Sequence, residues 1–232
     1  FHRFEPRKRR KSMSTAESIV NETGETTIDF MRHGEPVGGR RYRGHGIDDP
    51  LSPLGWEQMR RAVGEHCHWD QIISSPLRRC RLFAAELAAR HALPLAIDPE
   101  FREIGMGAWE GRSHQEIRAF ESDRFAAFKR DPVAAWPPGG EPLEPFQRRI
   151  VAAYERQVAA YPRQRLLVVC HAGVIRAVLG YVLGARPERW YRLQIGHASI
   201  SRIRLDRFGI SSIAIQASVV DFGSSAVERS TG

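Results

Sequence analysis

Residues 166–178 read LLVVCHAGVIRAV, an apolar run that stops at His171 and resumes past a glycine with helical spacing. A short continuous apolar run closed by a polar residue reads as a buried parallel strand, here feeding a helix over 173–184. The same signal recurs outward along the chain. TIDFM (27–31) and QIISS (71–75) are β-rich or apolar and are followed by turn or loop residues, and PLAID (94–98) is a weaker fourth strand. Amphipathic segments at 53–66, 76–92 and 142–161 lie between them. In the second, Ser75 is the expected N-cap, with Pro76 at the first helical position. Near the end, SISRIRLDRFGISSIAIQ (199–216) alternates on both sides of DRFG and reads as a hairpin.

Strands alternating with helices imply an α/β fold: a three-layer sandwich, with a mostly parallel central sheet and helices on both faces. Ligands of such sheets bind outside the carboxyl ends of the strands. Three strand ends carry RHGE (32–35), SSPLRR (74–79) and CHAG (170–173). All three should open on one edge and bring two histidines and several arginines together. Such a cationic cluster is suited to phosphate.

The 232 residues, 42% hydrophobic and 27% charged, suit one large globular domain. The net charge of +8 is uneven, because residues 1–12 hold six basic residues and one acid. The rest is only mildly basic, so no nucleic-acid partner is expected. Residues 1–26 read as a disordered basic and polar arm, 27–219 as a single domain, and 220–232 as a flexible tail. Three cysteines without metal-ligand spacing point to a reducing, cytoplasmic setting. The HCH triplet at 66–68 has no second ligand pair, so no metal is expected. The most apolar stretch, 166–185, is interrupted by His171, Arg176 and glycines, so no membrane span is expected. Without a glycine-rich nucleotide fingerprint, no cofactor is expected either.

Two phosphate chemistries compete at 166–178. Cys170 and Arg176 stand in a Cys-x5-Arg spacing, in which a thiolate would attack phosphorus. Against it, position 169 is Val where an activating histidine is expected, and Ala177 stands where a hydroxyl residue usually assists the thiolate. That reading also leaves RHGE unexplained. Cys170 reads more simply as a small buried residue. In FMRHGEPVGG (30–39), Gly34 permits close approach of a ligand, and Arg32 offers a planar cation. A neutral imidazole at His33 is a competent nucleophile toward phosphorus.

RHGE after an apolar strand, together with DPLSPLGWEQM (49–59), SSPLRRCRLFAAELA (74–88), FREIGMGAWEG (101–111) and VVCHAGVIRAV (168–178), resembles the histidine phosphatases, the phosphoglycerate-mutase-like superfamily. The resemblance covers roughly residues 27–205, with five motifs in the family's order. It implies a phosphoglycerate-mutase-like fold and a phosphoric monoester hydrolase. In it, His33 becomes phosphorylated, Arg32, Arg79 and His171 hold the phosphoryl oxygens, and Glu103 donates the proton to the leaving oxygen. Segment 112–146 would form a cap, in which Trp136 and Phe125 either close on substrate or form the cap's own core.

Gly39 stands near the position of a mutase-type Asn, and Glu103 and His171 are 68 positions apart. Both features resemble phosphatases rather than mutases. GEPVGGRRYRGHGIDDPLS (34–52) is similar to bacterial α-ribazole-5′-phosphate phosphatases of cobalamin synthesis, which implies a small nucleotide-like phosphomonoester as partner. Arg43 follows the family pattern as a substrate contact, while Arg40 and Arg41 either line the entrance or form a solvated basic loop. HASIS (197–201) places Ser199 at a further substrate-binding position, and His197 where relatives often carry Asn.

Overall fold

The computed structural model describes residues 24–65, 67–209 and 211–216. The expected arm lies outside them up to residue 23, as do His66 of the HCH triplet, the domain's expected last residues 217–219 and the expected tail 220–232. Six strands form: β1 (Thr26–Arg32), β2 (Gln71–Ser74), β3 (Leu95–Ile97), β4 (Arg165–Cys170), β5 (Ile200–Leu205) and β6 (Ser211–Gln216). They make one sheet in the order β3-β2-β4-β1-β5-β6. The first four strands pair in parallel, and β5 and β6 close the far edge antiparallel as the expected hairpin.

Strand alternation sorts the core. Ile28 and Phe30 of β1 and Leu166 and Val168 of β4 face one side, packed by α5 (Leu143–Ala160) and α6 (Ala172–Val182). Met31, Leu167 and Val169 face the other, packed by α1 (Pro53–Val63) and α2 (Arg78–His91). This is the expected three-layer sandwich. The connection after β1 passes to one face and the connection after β4 to the other. Neighbouring strands whose connections diverge leave a crevice between their carboxyl ends, and this is where such sheets bind ligands. Within the cap, α3 (His114–Phe120) and α4 (Ser122–Arg130) precede the loop to α5. Among the described residues no helix is long and apolar enough to cross a membrane.

Helix starts and ends differ from expectation for local reasons. The second helix begins at Arg78, with Leu77 at the cap, rather than at Pro76. Ser75 stands two residues ahead of that cap, where its hydroxyl accepts from the Leu77 N–H at 3.3 Å and lies 2.7 Å from His171 Nε2. The first helix stops at Val63, since Gly64 takes a φ of +64° and its N–H donates to the Arg60 carbonyl.

Gly34 serves the fold. A Cβ there would collide with the Gly55 carbonyl, and one on Gly55 would collide with the Glu35 backbone. The chain leaving β1 thus crosses α1 at a point where only two glycines fit. Because the obstacle is backbone, it cannot swing aside. Gly34→Ala is expected to cost about 3 kcal/mol, at the top of the overpacking range. Gly64→Ala meets nothing within 4 Å of its Cβ and should cost only the strain of its glycine-favouring backbone (φ 64°, ψ −158°), about 2 kcal/mol. Urea denaturation of the two variants checks that ranking.

Candidate active site

The crevice between β1 and β4 is laced by the backbone. His33 N–H donates to Cys170 O at 3.0 Å, Arg32 N–H to Ser199 O at 3.0 Å, and Ala198 N–H to His33 O at 3.2 Å. Two segments, the end of β4 and the turn at 198–199, therefore hold His33 in place. Its ring is flanked by His171, with centroids 5.2 Å apart, and by His197, 5.9 Å away. His33 Nδ1 lies 2.7 Å from the Gly34 carbonyl. A carbonyl only accepts, so Nδ1 carries the proton and Nε2 keeps its lone pair. Burial, then the charges of Arg79 and Arg32, push His33 well below the usual histidine range. The ring is neutral, with its Nε2 lone pair available.

Arg79, on the first turn of α2, is 1% exposed. Its two terminal nitrogens donate to the carbonyls of Ile47 at 2.8 Å and Gly44 at 2.7 Å. Arg32 donates to Ile195 O at 2.6 Å. The Nε of each guanidinium is buried and has no hydrogen-bond partner. A buried N–H without an acceptor costs about 1–3 kcal/mol, and both of these belong to arginines that act electrostatically on His33 and His171. Burial, followed by Arg176, lowers Arg32 to about 10.

Glu103 stands on an irregular strap, residues 102–106, between two short turns. Its oxygens accept from Ile104 N–H at 3.0 Å and from Gly173 N–H at 3.2 Å, at the amino end of α6. A Cβ on Gly173 would strike this carboxylate, so the glycine allows its approach. The Glu103 strap is held on both sides by one ion pair. Arg149 of α5 donates to the carbonyls of Glu100 and Arg102 and clamps Glu141, whose Oε2 accepts from Gly105 N–H. Arg149 and Glu141 were missed in the sequence, where an arginine on an amphipathic helix reads as solvated surface.

Two of the expected substrate contacts have partners within the protein. Arg43 is buried and donates to Asp49 at 2.8 Å, Val37 O at 2.7 Å and Gly39 O at 2.9 Å, so it shapes the loop that carries Arg40. Ser199 Oγ donates to Gly196 O at 2.8 Å and tightens the turn presenting His197. Arg40 is exposed, yet its charge reaches Arg32, Tyr42, His114 and His197. Phe125 packs on Trp109, and Trp136 on Phe128, which makes both the cap's own core. Cys170 is fully buried, and burial raises its thiol well above the usual range, so it is no nucleophile.

Burial among arginines also holds His171 well below its ordinary range and lowers His197 to about 3. Unfolded histidines titrate near 6.5. Below that value the unfolded chain binds protons that the folded one refuses. Stability is therefore intact above about pH 6.5 and is lost as pH falls toward the folded values. The slope is up to about 1.4 kcal/mol per pH unit for each of His33 and His171. Denaturation at pH 7.5 and 5.5 measures it, and His197→Asn should make the loss shallower.

A neutral histidine, two guanidinium groups and a carboxylate thus meet at the switch point of an α/β sheet, an arrangement chemically suited to a phosphoryl group. The chain belongs to the histidine phosphatase superfamily (branch 1), whose family profile matches residues 28–216. It is 32% identical over 159 residues to the adenosylcobalamin/alpha-ribazole phosphatase of Salmonella typhimurium, covering 66% of this chain and 78% of that protein. It is 31% identical over 195 residues to a bifunctional protein of Mycobacterium tuberculosis, covering 82% of this chain but only 53% of that protein. The chain thus spans about half the length of that relative. Among solved structures, a mycobacterial glucosyl-3-phosphoglycerate phosphatase aligns with a TM-score of 0.72 and 26% identity, covering 82% of this chain and 98% of that one.

Proposed function

We propose that this protein hydrolyses small phosphomonoesters through a phosphohistidine on His33. The observation that carries the reading is the pairing of a tautomer-fixed, neutral His33 with the buried, unpartnered Nε donors of Arg32 and Arg79. Phosphoryl transfer asks the protein chiefly for positioning and charge stabilisation, and those donors supply both.

In the first step His33 Nε2 bonds to phosphorus as the ester P–O bond breaks, and Glu103 gives its proton to the leaving oxygen. In the second, water attacks phosphorus, its proton passes to the Glu103 carboxylate, and the P–N bond breaks. His33 then regains its lone pair. Arg32, Arg79 and His171 hold the equatorial oxygens throughout.

The substrate reading with support from the relatives is a nucleotide-like ester such as α-ribazole 5′-phosphate. A second reading, a sugar-phosphate of the glucosyl-3-phosphoglycerate kind, draws on the 98% coverage of that phosphatase's chain. Purified protein is expected to release inorganic phosphate catalytically from at least one member of a panel holding both esters and ribose 5-phosphate. Phosphate release from none of them would refute the proposal.

A further inference from the structure

The two steps at His33 leave His197 without a task, yet the chain positions it closely. Residues on either side of it are bonded to the nucleophile and its neighbour. Ile195 O accepts from the Arg32 guanidinium at 2.6 Å, Ser199 O accepts from Arg32 N–H at 3.0 Å, and Ala198 N–H donates to His33 O at 3.2 Å. Ser199 also closes the turn on itself, donating to Gly196 O from its N–H at 3.3 Å and from its hydroxyl at 2.8 Å. Within that turn Ala198 is left-handed, at φ +54°, which costs an alanine about 1–2 kcal/mol. Such strain persists only where the surroundings over-determine the backbone. Here the strained turn sets the His197 ring against His33, with centroids 5.9 Å apart and planes 39° from parallel.

The three imidazoles of the crevice differ in what their nitrogens meet. His33 Nδ1 lies against Gly34 O and His171 Nε2 against Ser75 Oγ, both at 2.7 Å. Among the described residues neither ring nitrogen of half-buried His197 has a hydrogen-bond partner. Neither is sealed from solvent as the Nε atoms of Arg32 and Arg79 are. The ring spacing alone would suit plain aromatic packing, but packing makes no use of two open nitrogens. A neutral imidazole carries one donor and one acceptor. Burial, then the charge of Arg32, lowers His197 to about 3, so the ring is neutral. It offers an N–H beside the nucleophile without adding another cation next to Arg32.

A phosphoryl group presents three strongly accepting oxygens, which leaves room for a neutral donor beside the two guanidinium groups and His171. We propose that His197 is a further catalytic residue, whose ring N–H donates to an oxygen of the phosphoryl group bound at His33. The proposal rests on the phosphomonoesterase reading of the His33 pocket. A neutral donor of this kind strengthens as negative charge builds on the oxygens, and it is already in place when the reaction begins.

Three substitutions separate a hydrogen-bond donor from a packing ring, with calorimetric binding of inorganic phosphate at pH 7.5 as the probe. His197→Ala removes both, His197→Phe keeps a ring without the donor, and His197→Asn keeps an N–H without the ring. All three retain the backbone bonds of the turn, and a single cooperative melting transition verifies the fold. His197→Gln, with the same amide on a longer stem, stands in for Asn if the turn does not accept it. The Kd for phosphate is expected to rise about ten-fold in His197→Ala and His197→Phe, the scale of a hydrogen bond to a charged group, and to stay within about three-fold in His197→Asn. For the ester hydrolysed best, kcat should follow the same order, falling about a hundred-fold in the first two variants and recovering most of that in the third. A packing role gives the reverse order, with His197→Phe near the unaltered protein and His197→Asn as poor as His197→Ala. That reverse order, or a phosphate affinity indifferent to His197→Ala, overturns the proposal even where esters are hydrolysed. If no ester is hydrolysed but phosphate affinity divides the variants as expected, the phosphatase reading falls and the contact stands.

Discussion

His33→Ala is expected to abolish the covalent phosphoenzyme and lower turnover roughly ten-thousand-fold or more, the scale seen when a catalytic nucleophile is removed. The fold should survive, because His33 is held by its backbone bonds to Cys170 and Ala198, which alanine retains. Mixing protein with excess substrate, quenching rapidly without acid and mapping the modified residue by mass spectrometry checks the result. Cys170→Ala belongs beside it. That thiol is buried and held protonated, so the variant should still trap phosphate on His33. A label on Cys170, or one surviving in His33→Ala, would overturn the mechanism.

Arg79→Met should fail in two distinguishable ways. Two loop carbonyls, Ile47 O and Gly44 O, lose charged donors, which is expected to cost about 3 kcal/mol in stability. The phosphoryl group loses a fixed donor, which should lower kcat by about a thousand-fold. Denaturation measures the first effect. Turnover per trapped phosphoenzyme, read below the variant's melting temperature, measures the second. Arg79→Lys restores the charge but not the fork, so it should recover part of the rate and less of the stability. If Arg79→Met stays within ten-fold of the unaltered rate, Arg79 does not hold phosphate.

The strand-ending motifs were legible because a parallel sheet obliges its carboxyl ends to share an edge. Once TIDFM, QIISS and LLVVC read as strands, RHGE, SSPLRR and CHAG had to converge. What stayed hidden depended on side-chain partners distant in sequence. Ser75 carries every local mark of a helix cap, yet besides the nearby Leu77 N–H its hydroxyl meets His171, 96 positions away. Arg43 fits a substrate-contact motif but closes on Asp49 and loop carbonyls. Asp29 interrupts an apolar strand and signals nothing by itself. Its two oxygens are taken by Arg202 at 2.7 and 2.8 Å and by Trp69 at 2.9 Å. Such a pair is invisible until the hairpin is laid beside the first strand.

The clamp of Arg149 on Glu141 and on the carbonyls around Glu103 creates a division of labour between the two halves of the reaction. In the proposed mechanism the nucleophile His33 and the second histidine His171 are carried at strand ends, whereas the proton donor Glu103 is carried on a strap anchored to α5. Substitutions on α5 can therefore retune proton delivery without disturbing the cradle that holds phosphorus. On that mechanism, matching the scaffold to alcohols of different basicity takes changes on one helix and leaves the residues around phosphorus in place.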